Sequence, residues 1–140
     1  MALRVYFDTD VVLDLVSGVE EQANIDKIGG ALDDGRLICV CSELTIIEGL
    51  VHAVRTKNAG FEQAVRGFLA SSPKVALIPV SAQVLELGLA LRASTNLKTP
   101  DAIHIATGQM TNCNYFMTRD RDWARAGVPT LTADGLVGLL

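Results

Sequence analysis

LRVYFDTDVVLDL, residues 3–15, carries the change of periodicity on which the reading of this chain turns. Leu3 to Phe7 is a short run of apolar, aromatic and β-branched residues, the composition of a strand. Asp8 follows at once, and Val11 to Val16 then reads as a short helix stopped by Ser17-Gly18. A strand that runs straight into a helix, with no hairpin turn between them, opens a β-α-β unit. The same alternation recurs downstream. Leu37 to Val40, Val75 to Ile78, Tyr115 to Met117 and Pro129 to Leu131 read as further strands. Helices are expected over 20–34, from Ser42 as N-cap to about Lys57, over 61–70, over 82–93 behind Ser81, from Thr99-Pro100 to Asn112, and over 133–139. Ala23, Ile28 and Leu32 are the expected buried positions of the second helix. Val84, Leu85, Leu87, Leu89 and Leu91 are assigned to the apolar side of the helix after Ser81. Strands alternating with helices predict a three-layer α/β/α fold, a parallel sheet covered on both faces. A ligand site in such a sheet lies beyond the carboxyl ends of the strands, where strand order reverses.

The 140 residues are expected to form one domain, 1–140. With 49% hydrophobic and only 20% charged residues, the chain has the composition of a folded domain rather than a disordered one. The 5% aromatic content makes the expected core aliphatic. No apolar run has the length of a membrane span and no leader pattern stands at the N-terminus, so the expectation is a soluble, cytoplasmic protein with no membrane partner. Three cysteines, Cys39, Cys41 and Cys113, cannot all pair, which favours a reducing compartment. Cys39 and Cys41 share one strand face as small buried hydrophobes, and no CxxC or close His pair offers a zinc site. A net charge of −4 with no basic stripe argues against general DNA binding but leaves a metal nuclease open.

Four acids stand where the chain leaves a strand or opens a helix: Asp8, Glu48, Asp101 and Asp120. Asp8 is either a helix cap or a rim residue, and Thr9 or Asp10 would serve as the cap in the second case. Glu48 has Leu44 and Val51 one turn away and Ile47 beside it, a setting in which a carboxylate needs a partner. The alternative is an edge position reaching solvent, His52 or Arg55. Gly49 beside it permits close approach of another element. Asp101 sits in a first helical turn, where the helix dipole favours acids. His104 reads as a satisfied core residue. In TRDRDW, Asp122 is expected to cap a short helix and leave Asp120 available, although either is eligible as the fourth acid; Thr118 is placed to support a carboxylate. If these carboxylates converge, their repulsion requires a divalent cation, and the metal-free cluster should show raised pKa values.

DTDVVLDL, SELTIIEGL, KTPDAIHIAT and FMTRDRDW, in this order over nearly the whole chain, resemble the motifs of the PIN-domain family, specifically the small VapC-type toxins. The departure is Asp10, where the family most often has Asn. The resemblance implies a five-stranded parallel sheet, a homodimer, Mg²⁺ or Mn²⁺ as cofactor, RNA cleavage, and restraint by a cognate VapB-like antitoxin. It places Asp8, Glu48, Asp101 and Asp120 as catalytic, metal-site acids, with Thr118, Asp10 and Asp122 in support. Asp8 and Asp101 are assigned as direct ligands, Glu48 and Asp120 as ligands through water or a second ion. Lys98, Arg119 and Arg121 flank the expected mouth as possible RNA-binding cations. Two rivals are a haloacid dehalogenase-type phosphatase, with Asp8 as nucleophile and Asp10 as acid, and a non-catalytic RNA- or protein-binding module.

Overall fold

Alternation of side chains along the strands divides the core in two. The computed structural model describes residues 2–140. Its strands are β1 (Leu3–Phe7), β2 (Leu37–Ser42), β3 (Val75–Ile78), β4 (Tyr115–Met117) and β5 (Thr130–Leu131). They form one five-stranded sheet in the order β3-β2-β1-β4-β5, with every pairing parallel. Val5 pairs in register with Cys39 on one side and Tyr115 on the other.

Successive residues of a strand face opposite sides. Val5, Phe7, Cys39, Cys41 and Met117 therefore enter one core, with Val11, Val12, Ile28, Leu32, Leu50 and Val65. Those partners come from α1 (Thr9–Ser17), α2 (Gln22–Asp33), α3 (Leu44–Arg55) and α4 (Ala59–Leu69). Tyr6, Val40 and Phe116 enter the second core with Ala102, Ile105 and Trp123, from α6 (Thr99–Met110) and α7 (Arg121–Arg125). α5 (Ala82–Ser94) packs outside α6, and α8 (Ala133–Val137) closes the chain against α2. The fold is the three-layer α/β/α arrangement that the alternation predicts. Cys39 and Cys41 do share a face, free and buried, with their sulfurs 3.6 Å apart. Among the described residues no helix is long and apolar enough to cross a membrane.

Several local expectations change. Ala23 is exposed and Asn24 is buried in its place, because the Asn24 amide donates to Glu20 Oε1 (3.0 Å) and to Asp134 Oδ1 on α8 (2.8 Å). Leu85 and Leu89 lie 49% and 65% exposed. α5 packs mainly on α6, with Val84 and Gly88 buried and the adjoining leucines left outside. Thr99 is the first residue of α6 rather than its cap, with Lys98 in the cap position, and its hydroxyl accepts from Arg92 Nη1. Ser81 does cap α5, accepting from Val84 N, and Ser42 Oγ accepts from Leu44 N at the start of α3.

Gly108 on α6 marks the tightest approach of helix to sheet. A Cβ there would lie 2.2 Å from Phe116 Cε2 and 2.7 Å from Cζ. The Phe116 ring is wedged against Tyr6 and Trp123 and has no room to swing. Gly108→Ala is therefore expected to destabilise the fold by about 1–3 kcal/mol, the usual range for overpacking, read as a lower urea midpoint with an unchanged slope.

Candidate functional site

β1 is the point at which strand order reverses: β2 and β3 are added on one side, β4 and β5 on the other. The loops leaving β1 and β4 part there, which is where an open parallel sheet forms a crevice. Asp8 ends β1 and the Thr118–Asp120 segment follows β4. The two loops are tied together, since Asp8 N donates to Met117 O (3.0 Å). Thr118 Oγ1 donates to Asp8 Oδ2 (2.7 Å) and accepts from Asp120 N (3.0 Å). One hydroxyl thus joins the first and fourth acids.

Glu48 reaches the same place from α3. Its Oε1 accepts from Thr9 Oγ1 (2.8 Å), the residue after Asp8, and pairs with His104 Nε2 of α6 (2.6 Å). Gly49 lies where α3 meets α1, although a Cβ there would make only ordinary contacts, 3.4 Å from Leu13 Cδ2 and 3.6 Å from Thr9 Cγ2. His104 is buried, and its Nδ1 meets the Tyr6 hydroxyl at 2.5 Å. Asp101, one turn before His104, accepts from Trp123 Nε1 through Oδ1 (3.1 Å). Trp123 belongs to α7, the short helix that Asp120 opens.

Asp8, Glu48, Asp101 and Asp120 are thereby brought to one end of the sheet, held from behind by hydrogen-bond donors on α1, α6, α7 and the segment after β4. Their backs, rather than mutual contact, fix them. Among the described residues no three His, Cys, Asp or Glu side chains already form a group able to hold a metal ion. The donor chemistry nevertheless fits a hard cation. All four are carboxylates, and among the described residues Glu48 Oε2, Asp101 Oδ2 and Asp120 Oδ2 accept no protein hydrogen bond. Mg²⁺ and Mn²⁺ suit such a set because they keep several waters and use few protein oxygens.

The PIN domain profile matches residues 5–129. This chain belongs to the PIN-domain family. Among solved structures, the PIN domain is similar to a toxin–antitoxin complex from Klebsiella pneumoniae, at 30% identity and TM-score 0.68, covering 92% of this chain and 97% of that one. VapBC2 from Rickettsia felis, bound to a DNA fragment from its promoter, superposes with TM-score 0.74 at 11% identity over 93% and 98% of the two chains. VapC20 from Mycobacterium tuberculosis, a Sarcin-Ricin loop cleaving toxin, gives TM-score 0.63 at 16% identity over 89% and 95%. The last two similarities establish the fold alone. No curated protein matches the chain.

Capping in this PIN domain differs from expectation at both acid loops. Asp8 itself caps α1, its Oδ1 accepting from Thr9 N (2.8 Å), so neither Thr9 nor Asp10 relieves it of that task. Asp120, not Asp122, caps α7 by accepting from Asp122 N (2.8 Å). Asp122 instead pairs with Arg125 on the surface. A carboxylate oxygen with one donor still has a free lone pair, so capping and ligation are compatible. Asp10 is exposed and faces Arg119, at 3.8 Å, which also pairs with Asp14 at 3.3 Å. The added charge of Asp10 is thus met by Arg119, whose side chain remains 64% exposed. Lys98 and Arg121 are exposed. A cleft of about 520 Å³ adjoins the site on the β4–β5 side, where Thr118, Asp120 and Arg121 line it with Asp14 and Asp134.

The electrostatics follow burial more than repulsion. Burial pushes Asp8 above the ordinary aspartate range, although the Thr118 hydroxyl, the charge His104 carries when protonated and Thr9 N pull it down. Asp101 is also raised, first by burial, with the charges of Asp120 and Glu48 adding to it and the Trp123 bond opposing. Glu48 goes the other way. Burial raises it, but the His104 hydrogen bond, the charge that ring carries when protonated, and the Thr9 hydroxyl outweigh that effect. A uniformly raised cluster is therefore not what the fold builds.

Thr9, Tyr6, His104 and Trp123 are the site partners that sequence reasoning did not supply. His104 was read as a satisfied core residue, and it is one; what satisfies it is Glu48 and Tyr6. Its spacing of three from Asp101 is the one available signal, since that places both on neighbouring positions of α6.

Proposed function

We propose that this PIN domain is a Mg²⁺- or Mn²⁺-dependent endoribonuclease and the toxin of a toxin–antitoxin pair. The observation that carries this reading is the hydrogen-bonded assembly of four carboxylates from four separate segments at the switch point of the sheet. Three of them keep an oxygen without a protein donor. Asp8 and Asp101 would bind the ion directly, and Glu48 and Asp120 through water or a second ion. When bound, the metal supplies a polarised phosphodiester and a bound water acidic enough to react near neutral pH.

The chain's own residues contribute orientation. Thr118 and Thr9 N hold the Asp8 carboxylate from both sides, and Trp123 keeps Asp101 from swinging. Lys98, Arg119 and Arg121 are the exposed cations that would meet RNA phosphates, and the cleft of about 520 Å³ beside Asp120 has the volume for a nucleotide. The Klebsiella pneumoniae relative's presence in a toxin–antitoxin complex supports the biological assignment, as does the cleavage of the Sarcin-Ricin loop by VapC20.

Partner binding has its own support. Ile47, Val51 and Val54 form an exposed apolar row on α3, from 41% to 69% accessible, and Leu85 and Leu89 another on α5. Apolar surface of that kind marks association, and a homodimer is the assigned use. A second apolar groove of about 290 Å³, lined by Leu15, Val16, Ile25, Leu32 and Phe68, suits a segment of an antitoxin.

The test is direct. Purified protein with Mn²⁺ should cut single-stranded RNA to fragments ending in 5′-phosphate and 3′-hydroxyl, and EDTA should stop it. Cleavage that continues in EDTA, or aspartyl-phosphate trapping with a small phosphate ester, would reject the assignment. Absence of any Mn²⁺ binding by calorimetry would favour a binding module.

A further inference from the structure

Behind Glu48 runs a line of buried polar groups that the proposed chemistry does not consume. Ser42 N donates to the Tyr6 hydroxyl (3.2 Å), that hydroxyl meets His104 Nδ1, and His104 Nε2 meets Glu48 Oε1 (2.6 Å). Tyr6 and His104 are 0% and 1% exposed, so each proton along this line must have an acceptor inside the protein.

Only one arrangement provides that. The Tyr6 oxygen already accepts from Ser42, and among the described residues its own proton has no acceptor except His104 Nδ1. Nδ1 must then carry the lone pair, which puts the ring proton on Nε2, facing the carboxylate. With the proton on Nδ1, the Tyr6 proton is stranded and a ring lone pair points at Oε1. With both nitrogens protonated, the Tyr6 proton is stranded again. Burial holds the phenol in its protonated form, so it remains a donor. The ring itself cannot turn, because Tyr6 and Trp123 pack against it with centroids 5.7 and 5.9 Å away.

We infer that Tyr6 and His104 are positioning residues for Glu48: the β2 amide sets the tyrosine, the tyrosine sets the histidine tautomer, and the Nε2–H fixes one carboxylate oxygen. Thr9 donates to that same oxygen, so Oε2 is the one left without a protein donor among the described residues. The device delivers Glu48 to the metal site with one face already assigned. An outer partner of this kind orients an inner ligand, and its loss typically lowers metal affinity about 10–100-fold. The inference rests on the ribonuclease reading for its purpose, but not for its hydrogen-bond pattern.

The experiment combines two readouts on the full chain. Long-range ¹H–¹⁵N spectra of the imidazoles at neutral pH should show His104 as the neutral Nε2–H form, and Tyr6→Phe should shift the Nδ1 signal away from its hydrogen-bonded position. Mn²⁺ titration calorimetry should then show affinity reduced about 10-fold or more in His104→Leu. His104→Gln, whose amide can still donate to Glu48, should retain most of it. Urea melts of the three variants identify any that is unfolded, leaving the others to decide. An Nδ1–H ring in the parent overturns the inference. So does parental Mn²⁺ affinity in both Tyr6→Phe and His104→Leu, while RNA cleavage by the parent would still stand. A parent that binds no Mn²⁺ at all removes the ribonuclease reading first, and this inference with it.

Discussion

Asp101→Asn is expected to reduce RNA cleavage by more than about a hundredfold, beyond what loss of an outer-shell partner costs, while leaving the metal-free protein at least as stable as the parent. The two effects have one cause. The fold disfavours the charged form of Asp101 by burying it near Asp120 and Glu48, so its pKa is raised. Asparagine removes that charge and keeps an oxygen to accept from Trp123 Nε1. The sign is fixed by linkage. An acid whose folded pKa exceeds its unfolded value stabilises the protein most below the unfolded value, and stability is lost as pH rises through the folded value. In EDTA, the difference in melting temperature between Asp101→Asn and the parent should therefore grow from near pH 4 upward, in favour of the variant. Glu48, whose pKa is lowered, contributes the opposite slope in both proteins, and losing the Asp101 charge favours its ionised form further, which adds to the variant's advantage. Adding Mn²⁺ should raise the parent's melting temperature and leave the variant's almost unchanged. A variant that melts lower than the parent across the range would contradict the burial argument.

Trp123→Ala is expected to cause the largest loss of stability, about 3–5 kcal/mol. That is a fifth or more of what a domain commonly has to lose, about 5–15 kcal/mol. Trp123 is wholly buried and joins Tyr6, His104 and Phe116 in one aromatic group. Trp123→Phe separates packing from chemistry. It refills most of the volume but removes the N–H that steadies Asp101, so cleavage should fall about 10-fold, within the range for outer-shell partners, while the urea midpoint falls much less than in Trp123→Ala. Equal losses of activity and stability in the two variants would show that Trp123 acts only through the core.

The strands were legible because each is a short apolar run at a boundary with turn residues, whereas their order in the sheet was not. Tyr115 to Met117 and Val75 to Ile78 have the observed limits. What local pattern could not reveal is which of two nearby side chains finds a partner far along the chain. Asn24 is buried because Asp134 receives its amide, 110 residues away. Asp120 rather than Asp122 turns inward because Thr118, fixed by Asp8, presents its oxygen to the Asp120 amide. Both choices look equal in TRDRDW. Leu85 and Leu89 satisfy a helical period perfectly well, yet period does not say how many neighbours a helix will have. Asp8, Asp101 and Asp120 stand out in the sequence because each lies at an element boundary, and Glu48 because it interrupts an apolar helix; Tyr6 and Thr9 do not, since a buried polar side chain inside a regular element leaves no mark on periodicity.

The bond from Thr118 to Asp8 spans 110 positions, so the two loops it joins are set only once β4 has paired with β1. A contact of such sequence separation bears the entropy of closing a long loop before it stabilises anything. The acid loops are thus among the parts of this domain that late folding events complete.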